Sequence, residues 1–245
     1  MTILGIDTVT RLNSTAIVKD GKVLAEITAD EGLTHSSRLA QNVETVLKRA
    51  KTRLEELSGI AVSKGPGSFT GLRVGLSFAK GLAFSLGLPI AGVSSLDALA
   101  LRMNGTAGKI LAAEGVSKTY DELICPALDG KKNEVFFALY AKNGKNLLKL
   151  TQETNASAAA ASEKILQFGA GTVIFQGDAF SKFGGVFSSA IKGAEEAPEN
   201  LRMPSAVATA VLGSGLISEG LAGSFGELLP MYLRSSDAEL GRKNG

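Results

Sequence analysis

Apolar residues change their spacing several times along the first ninety positions, and each change marks an element. Ile3 to Ile6 is an apolar run that stops at Asp7; Thr15 to Lys19 follows after a polar turn, and Asp20-Gly21 separates it from Lys22 to Thr28. Asp-Gly between two strand-like runs is a hairpin signal, so three strands are predicted here. From Ser36 to Leu57 the apolar positions Leu39, Val43, Val46, Leu47, Ala50, Leu54 and Leu57 recur every three or four residues, which predicts an amphipathic helix. A short strand around Ile60 leads into a glycine-rich stretch, Gly65 to Gly75, and that opens a second helix reaching Leu86.

The second half repeats the plan. Ile124 to Leu128 runs into Asp129, Val135 to Ala141 forms the next strand, Asn143-Gly144 is a hairpin turn and Asn146 to Leu150 returns. An alanine-rich helix, Ala156 to Phe168, takes the place of the first helix, and Thr172 to Phe175 leads into Gly177-Asp178 as Ile60 to Val62 led into Gly65. Two tandem β-β-β-α-β-α units predict an α/β protein with a duplicated ribonuclease-H-like, two-lobed fold, the plan of the actin, sugar-kinase and Hsp70 superfamily.

Strand, glycine loop and helix is the layout of a phosphate site, because free N–H groups and the dipole at a helix start hold an anion. The detail departs from it. Counting from Gly65, Thr70 stands where a P-loop has its second glycine, and the next lysine is Lys80. Superfamily members that bind nucleotide use an acid and a glycine-rich hairpin after the first strand; Asp7-Thr8-Val9-Thr10 keeps the acid without the glycine. Asp7, Thr8, Gly67 and Ser68 are therefore expected in a degenerate nucleotide cleft, with Asp129-Gly130-Lys131-Lys132 as the counterpart turn in the second lobe. His35 is the single histidine, and Leu39 occupies the position four residues on where a helical metal pair needs its second ligand. No metal, no cofactor and no catalytic residue are expected, and neither Ser36, Ser37 nor Ser68 lies in a Gly-x-Ser-x-Gly elbow.

Composition narrows the classes. A net charge of +2 with no basic tract gives no reason to expect autonomous nucleic-acid binding. The single cysteine, Cys125, excludes an internal disulfide framework. The N-terminus meets Asp7 without a basic region, unlike a signal peptide, and the longest apolar stretch, Leu72 to Val93, carries Arg73, Lys80 and Pro89, unlike a membrane span. The cytoplasm is the expected compartment.

The second helix carries Gly71, Gly75, Ala79 and Ala83 at intervals of four, a small-residue stripe that lets another backbone approach, while Arg73, Ser77 and Lys80 frame an outward patch. Interior helical glycines each cost about 1 kcal/mol relative to alanine, so the stripe is read as a partner interface.

Gly-Pro-Gly-Ser-Phe-Thr-Gly-Leu-Arg-Val-Gly at 65–75 carries a family resemblance, together with Ile6-Asp7-Thr8, His35-Ser36-Ser37-Arg38-Leu39, Val93-Ser94-Ser95-Leu96-Asp97-Ala98-Leu99-Ala100 and Pro230-Met231-Tyr232-Leu233-Arg234. In that order these motifs resemble the bacterial TsaB (YeaZ) family across most of the chain. One departure is Asp129-Gly130-Lys131, where the family often has Asp-Ala-Arg. The resemblance implies an actin-like fold and a non-catalytic subunit that supports the threonylcarbamoyltransferase TsaD, with the ATPase TsaE. Their product is threonylcarbamoyladenosine in tRNAs reading codons that begin with A. It further implies a first lobe of residues 1–102 with about 203–235, a second lobe of 103–202 and a flexible tail of 236–245. Its partner surface is built from the first two helices, here His35, Leu39, Val43, Val46, Gly71, Arg73, Val74, Gly75, Ser77 and Phe78. That surface would bind a TsaD-like paralogue, or a second copy when the paralogue is absent, with tRNA met only through the complex. Two other classes stay open: an ATP-dependent kinase or ATPase of the same fold, and a peptidase.

Overall fold

The computed structural model describes residues 1–30, 35–106, 108–113, 119–223 and 225–234, excluding the side chains of residues 35–37. The tail expected at 236–245 and the His35 side chain lie outside that description. The first unit comprises β1 (Thr2–Asp7), β2 (Leu12–Lys19), β3 (Lys22–Asp30), α1 (His35–Arg49), β4 (Gly59–Gly65), α2 (Phe69–Leu86), β5 (Ile90–Ser94) and α3 (Ser95–Arg102). Its sheet has the order β3-β2-β1-β4-β5. β1, β4 and β5 run parallel and the β1-β2-β3 meander is antiparallel.

The second unit comprises β6 (Ile110–Ala112), β7 (Glu122–Lys131), β8 (Glu134–Phe137), β9 (Tyr140–Asn143), β10 (Asn146–Lys149), β11 (Thr154–Ser157), α4 (Ala158–Leu166), β12 (Thr172–Gln176), α5 (Ala179–Ala190) and β13 (Ala194–Glu196). β11 pairs with β8, β8 with β7, β7 with β12 and β12 with β13, the last two parallel. Position by position this repeats the order of the first sheet, so the duplication is visible in the hydrogen bonding itself. The chain then returns through α6 (Ala206–Ser218), which packs on β1, β2, β4 and β5 opposite α1 and α2. Among the described residues one helical stretch, Glu199–Ser218, is long and apolar enough by composition to cross a membrane. Its α6 part is a core helix of the first lobe, with Ala206, Val207 and Ala210 packed on Ile3, Ala16 and Ala61.

Three expectations need correction. The helix expected to reach Leu57 ends at Arg49, because Lys51 turns left-handed (φ 50°) and the Thr52 N–H bonds back to Leu47 O at 3.0 Å. Leu54 to Glu56 forms a separate 3-10 turn. Val135 to Ala141 is two strands, since the segment leaves β8 at Phe137 and resumes as β9, which meets β7 at Ile124. The Asn143-Gly144 hairpin exists, but β10 builds an extension with β9 and β6, and the third strand of the repeat is β11. A turn signal reports that two strands are joined, not which sheet position they take.

Candidate functional site

The first strand of each unit carries an aspartate at or near its C-terminal end, Asp7 in β1 and Asp129 in β7, and the two units meet along a seam. That seam is filled. Val9, Leu72, Leu96 and Leu99 from the first lobe form one buried cluster with Ile124, Leu128, Phe136 and Tyr140 from the second. Gln176 adds a buried polar tie, its Nε2 donating to Leu99 O and Leu201 O at 2.8 Å each.

Asp7 is buried. Its carboxylate accepts hydrogen bonds from Ser63 Oγ, from the Val9 N–H at 3.3 Å and from Thr209 Oγ1 at 3.5 Å. Burial raises its pKa above the ordinary carboxylate value, against the lowering effect of those donors and of Arg102. A raised acid in the folded state favours folding most below its unfolded value of 3.8, and that contribution is lost as pH rises through the folded value. Asp7→Asn is therefore expected to gain stability relative to the wild type as pH rises above about 4, as read by thermal melting at several pH values. A melting difference independent of pH would place the titrating group elsewhere.

The glycine loop is spent on packing. Thr8 Oγ1 donates to Gly71 O at 2.7 Å, and Thr8 itself lies flat on α2. A Cβ at Gly71 would collide with Thr8 O, and one at Gly75 with Thr8 Oγ1. A Cβ at Gly67 would come 2.6 Å from Val9 O. The motif that has a phosphate-binder's outline thus seats the β1–β2 turn of its own chain. Ser68 completes it as the N-cap of α2, accepting from the Gly71 N–H at 3.3 Å.

This corrects the reading of the small-residue stripe. Gly71, Gly75, Ala79 and Ala83 face inward, and Leu39, Val43 and Val46 of α1 are buried in the same core. Their neighbours are side chains and backbone of the first lobe. What α2 does present to solvent is Arg73 and Ser77, with Val74 and Phe78 half-buried beside them and Phe84 68% exposed at its end. Arg73 lies over Phe69, its Cζ 3.8 Å from the ring centroid.

In the second lobe Asp129 is gripped by Lys131 (2.9 Å) and Lys182 (3.2 Å), which with the Lys131 N–H outweigh burial and hold its pKa below the ordinary value. Asp129, Gly130 and Lys131 meet Gly67, Ser68 and Phe69 around a cavity of about 430 Å3 at the outer end of the seam. Thr8 and Asp7 do not reach it. A second cavity of about 550 Å3 opens between β5, α6 and β10. There Lys149 Nζ donates to Asp97 Oδ1 (2.8 Å) and Glu153 Oε1 (2.6 Å), while Tyr140 OH donates to Asp97 Oδ1 (2.6 Å). Asp97 comes from the first lobe and the other three from the second. The sequence carried no local signal for this cluster, since Tyr140 and Lys149 lie 43 and 52 positions from Asp97. Among the described residues, no three His, Cys, Asp or Glu side chains gather into a group able to hold a metal ion.

Two ribonuclease-H-like units in one chain, joined by a seam and bridged by a returning helix, define an actin-like two-lobed protein. A family model described as "TsaD: tRNA N6-adenosine threonylcarbamoyltransferase" matches residues 22–225. The chain is 39% identical over 145 residues to "tRNA threonylcarbamoyladenosine biosynthesis protein TsaB" of Bacillus subtilis, covering 59% of this chain and 57% of that protein. It is 36% identical over 148 residues to the Escherichia coli protein of the same description, covering 58% of this chain and 56% of that one. The chain thus spans a little over half the length of these curated relatives. A solved structure from Pseudomonas aeruginosa, described as having similarity to peptidase YEAZ, superposes with a TM-score of 0.72 at 25% identity, over 95% of this chain and 99% of that one. The chain belongs to the family that the model describes, within its TsaB/YeaZ group.

Proposed function

We propose that this protein is a non-catalytic subunit in the formation of threonylcarbamoyladenosine in tRNA, acting by binding a TsaD-type threonylcarbamoyltransferase. The curated relatives named for that biosynthesis support the pathway. The observation that supports the non-catalytic reading is the packed glycine loop: Thr8 and Val9 lie against Gly67, Gly71 and Gly75, and Asp7 is sealed under Ser63 and Thr209. A TsaE-type ATPase completes the assembly, tRNA is reached through the partner, and the protein works in the cytoplasm. The lobes are residues 1–102 with about 203–235, and 103–202.

The partner surface is the outward face of α2, with Arg73 and Ser77 exposed and Val74 and Phe78 at its margin, and without partner this face pairs with a second copy by two-fold symmetry. Ser77→Arg places a long charged side chain at its centre. We expect it to weaken partner binding at least about tenfold, about 1.4 kcal/mol, while melting like the wild type. Unchanged affinity in a pull-down or titration moves the interface off this face.

The test of the whole reading is co-expression with a TsaD-type relative, followed by measurement of the modified nucleoside in tRNA and titration of the purified chain with Mg-ATP. Modification that depends on both proteins, with weak or no ATP binding by this one alone, is expected. Micromolar ATP affinity or turnover by the isolated chain would favour a kinase or ATPase instead.

A further inference from the structure

The Pro230-Met231-Tyr232-Leu233-Arg234 motif lies in an extended segment that crosses the mouth of the seam and touches both lobes. Phe225 packs edge-on against Phe84, with centroids 5.1 Å apart. Leu228 tucks in over Gly92, where a Cβ would collide with it. The Met231 N–H donates to Lys64 O at 2.6 Å, and Met231 O lies 2.7 Å from where a Cβ on Gly65 would stand. Tyr232 stacks on Phe69 with centroids 4.8 Å apart, and its hydroxyl accepts from Arg73 Nε at 3.2 Å. Arg234 Nη1 then crosses to the second lobe and donates to Gly130 O at 2.8 Å.

The attachment is thin for a segment in such a place. Between Phe225 and Arg234 only Leu228 is buried (9% exposed), while Phe225 is 48% and Leu229 69% exposed. Segments with few buried apolar contacts open locally without unfolding the molecule. Met231 also lines both the 430 Å3 and the 550 Å3 cavities, so it is the wall between them. We infer that residues 225–234 are a releasable strap: closed, it divides the mouth of the seam into two cavities; open, it joins them into one groove across both lobes, and Arg234 on Gly130 is its latch. Gly65 is explained by the same contact, since it admits the strap's backbone.

Residue-resolved hydrogen exchange on the full chain tests this, with the Met231 amide reporting the strap and the Ile60 amide, bonded to Pro89 O in β4, reporting the core. In the wild type, Met231 is expected to exchange at least about tenfold slower than an unstructured amide, yet at least about a hundredfold faster than Ile60. Arg234→Ala should speed Met231 about fivefold or more and leave Ile60 unchanged. Tyr232→Ala, which removes the stack on Phe69, should do the same. Met231 exchanging in step with Ile60 would make the segment part of the global core and overturn the inference. So would Met231 exchanging like free peptide in the wild type, since nothing would then be closed. Failure of both variants to change Met231, or an equal change at Ile60, would remove the latch.

Discussion

Gly71→Ala lowers the melting temperature by about 5–10 °C, the result expected from a stability loss of about 2–3 kcal/mol in a chain of this size. The added methyl would stand inside the contact radius of Thr8 O, a backbone atom held by the β1–β2 turn. Relief requires α2 to move off the sheet, and that breaks the 2.7 Å bond from Thr8 Oγ1 to Gly71 O. Alanine's better helix propensity returns about 1 kcal/mol at most, too little to offset the clash. Gly81, on the same helix with nothing near its Cβ position, is the control, and Gly81→Ala should stabilise by up to about 1 kcal/mol. The two variants moving together would mean that propensity, not packing, decides. For the same reason Gly75→Leu, at a position that the small-residue stripe assigned to a partner interface, is expected to lower the melting temperature, because its side chain would run into Thr8.

Lys149→Met is the second large effect, about 2–3 kcal/mol, because it leaves the Asp97 and Glu153 carboxylates side by side without their shared cation. The figure lies below the 3–5 kcal/mol typical of a fully buried broken pair, since Lys149 and Asp97 keep some contact with solvent. Burial alone would raise the Glu153 pKa, but hydrogen bonds from Lys149 and Ser94 and the Lys149 charge hold it below the ordinary value. A depressed acid contributes stability that is present above its unfolded value of 4.5 and is lost as pH falls through the folded one. Lys149 is raised, its neighbouring carboxylates outweighing burial, so its contribution persists below 10.5 and disappears only as pH rises through its folded value. The deficit of Lys149→Met should therefore be full at neutral pH and shrink below about pH 4.5, where Glu153 can take up a proton. Adding Glu153→Gln should recover part of the loss at neutral pH. Melting curves of the single and double variants across pH read this directly; an undiminished deficit in acid would mean that the lysine acts through packing alone.

How far a sequence informs depends on the range of the interaction that decides each feature. The amphipathic spacing of α1, the apolar runs of β1, β4, β7 and β12, and the Asp-Gly and Asn-Gly hairpins are local, so periodicity and turn chemistry located them. The duplication was legible because two copies of one local pattern stand in one chain. The family was legible because Gly65 to Gly75 and the shorter motifs keep their residues in order. The three- and four-residue strands β6, β11 and β13 were not, because so short a run has no measurable period; their membership in the sheet is set by β10, β8 and β12.

Chemistry at the seam lay beyond sequence reasoning for a different reason. A stripe of small residues states that something comes close without saying what, and only the tertiary fold showed that Thr8, not a partner, fills the space over Gly71 and Gly75. Likewise the aspartate ending β1 reads as a phosphate-site acid until Ser63 and Thr209, 56 and 202 positions away, are seen to close over it. Close approach and burial are properties of pairs of elements, and the chain records only one member of each pair at a time. The sequence by itself determined the repeat, the helix and strand faces and the family; the packing of the β1–β2 turn on α2 within the first lobe decided that Gly67, Gly71 and Gly75 face protein.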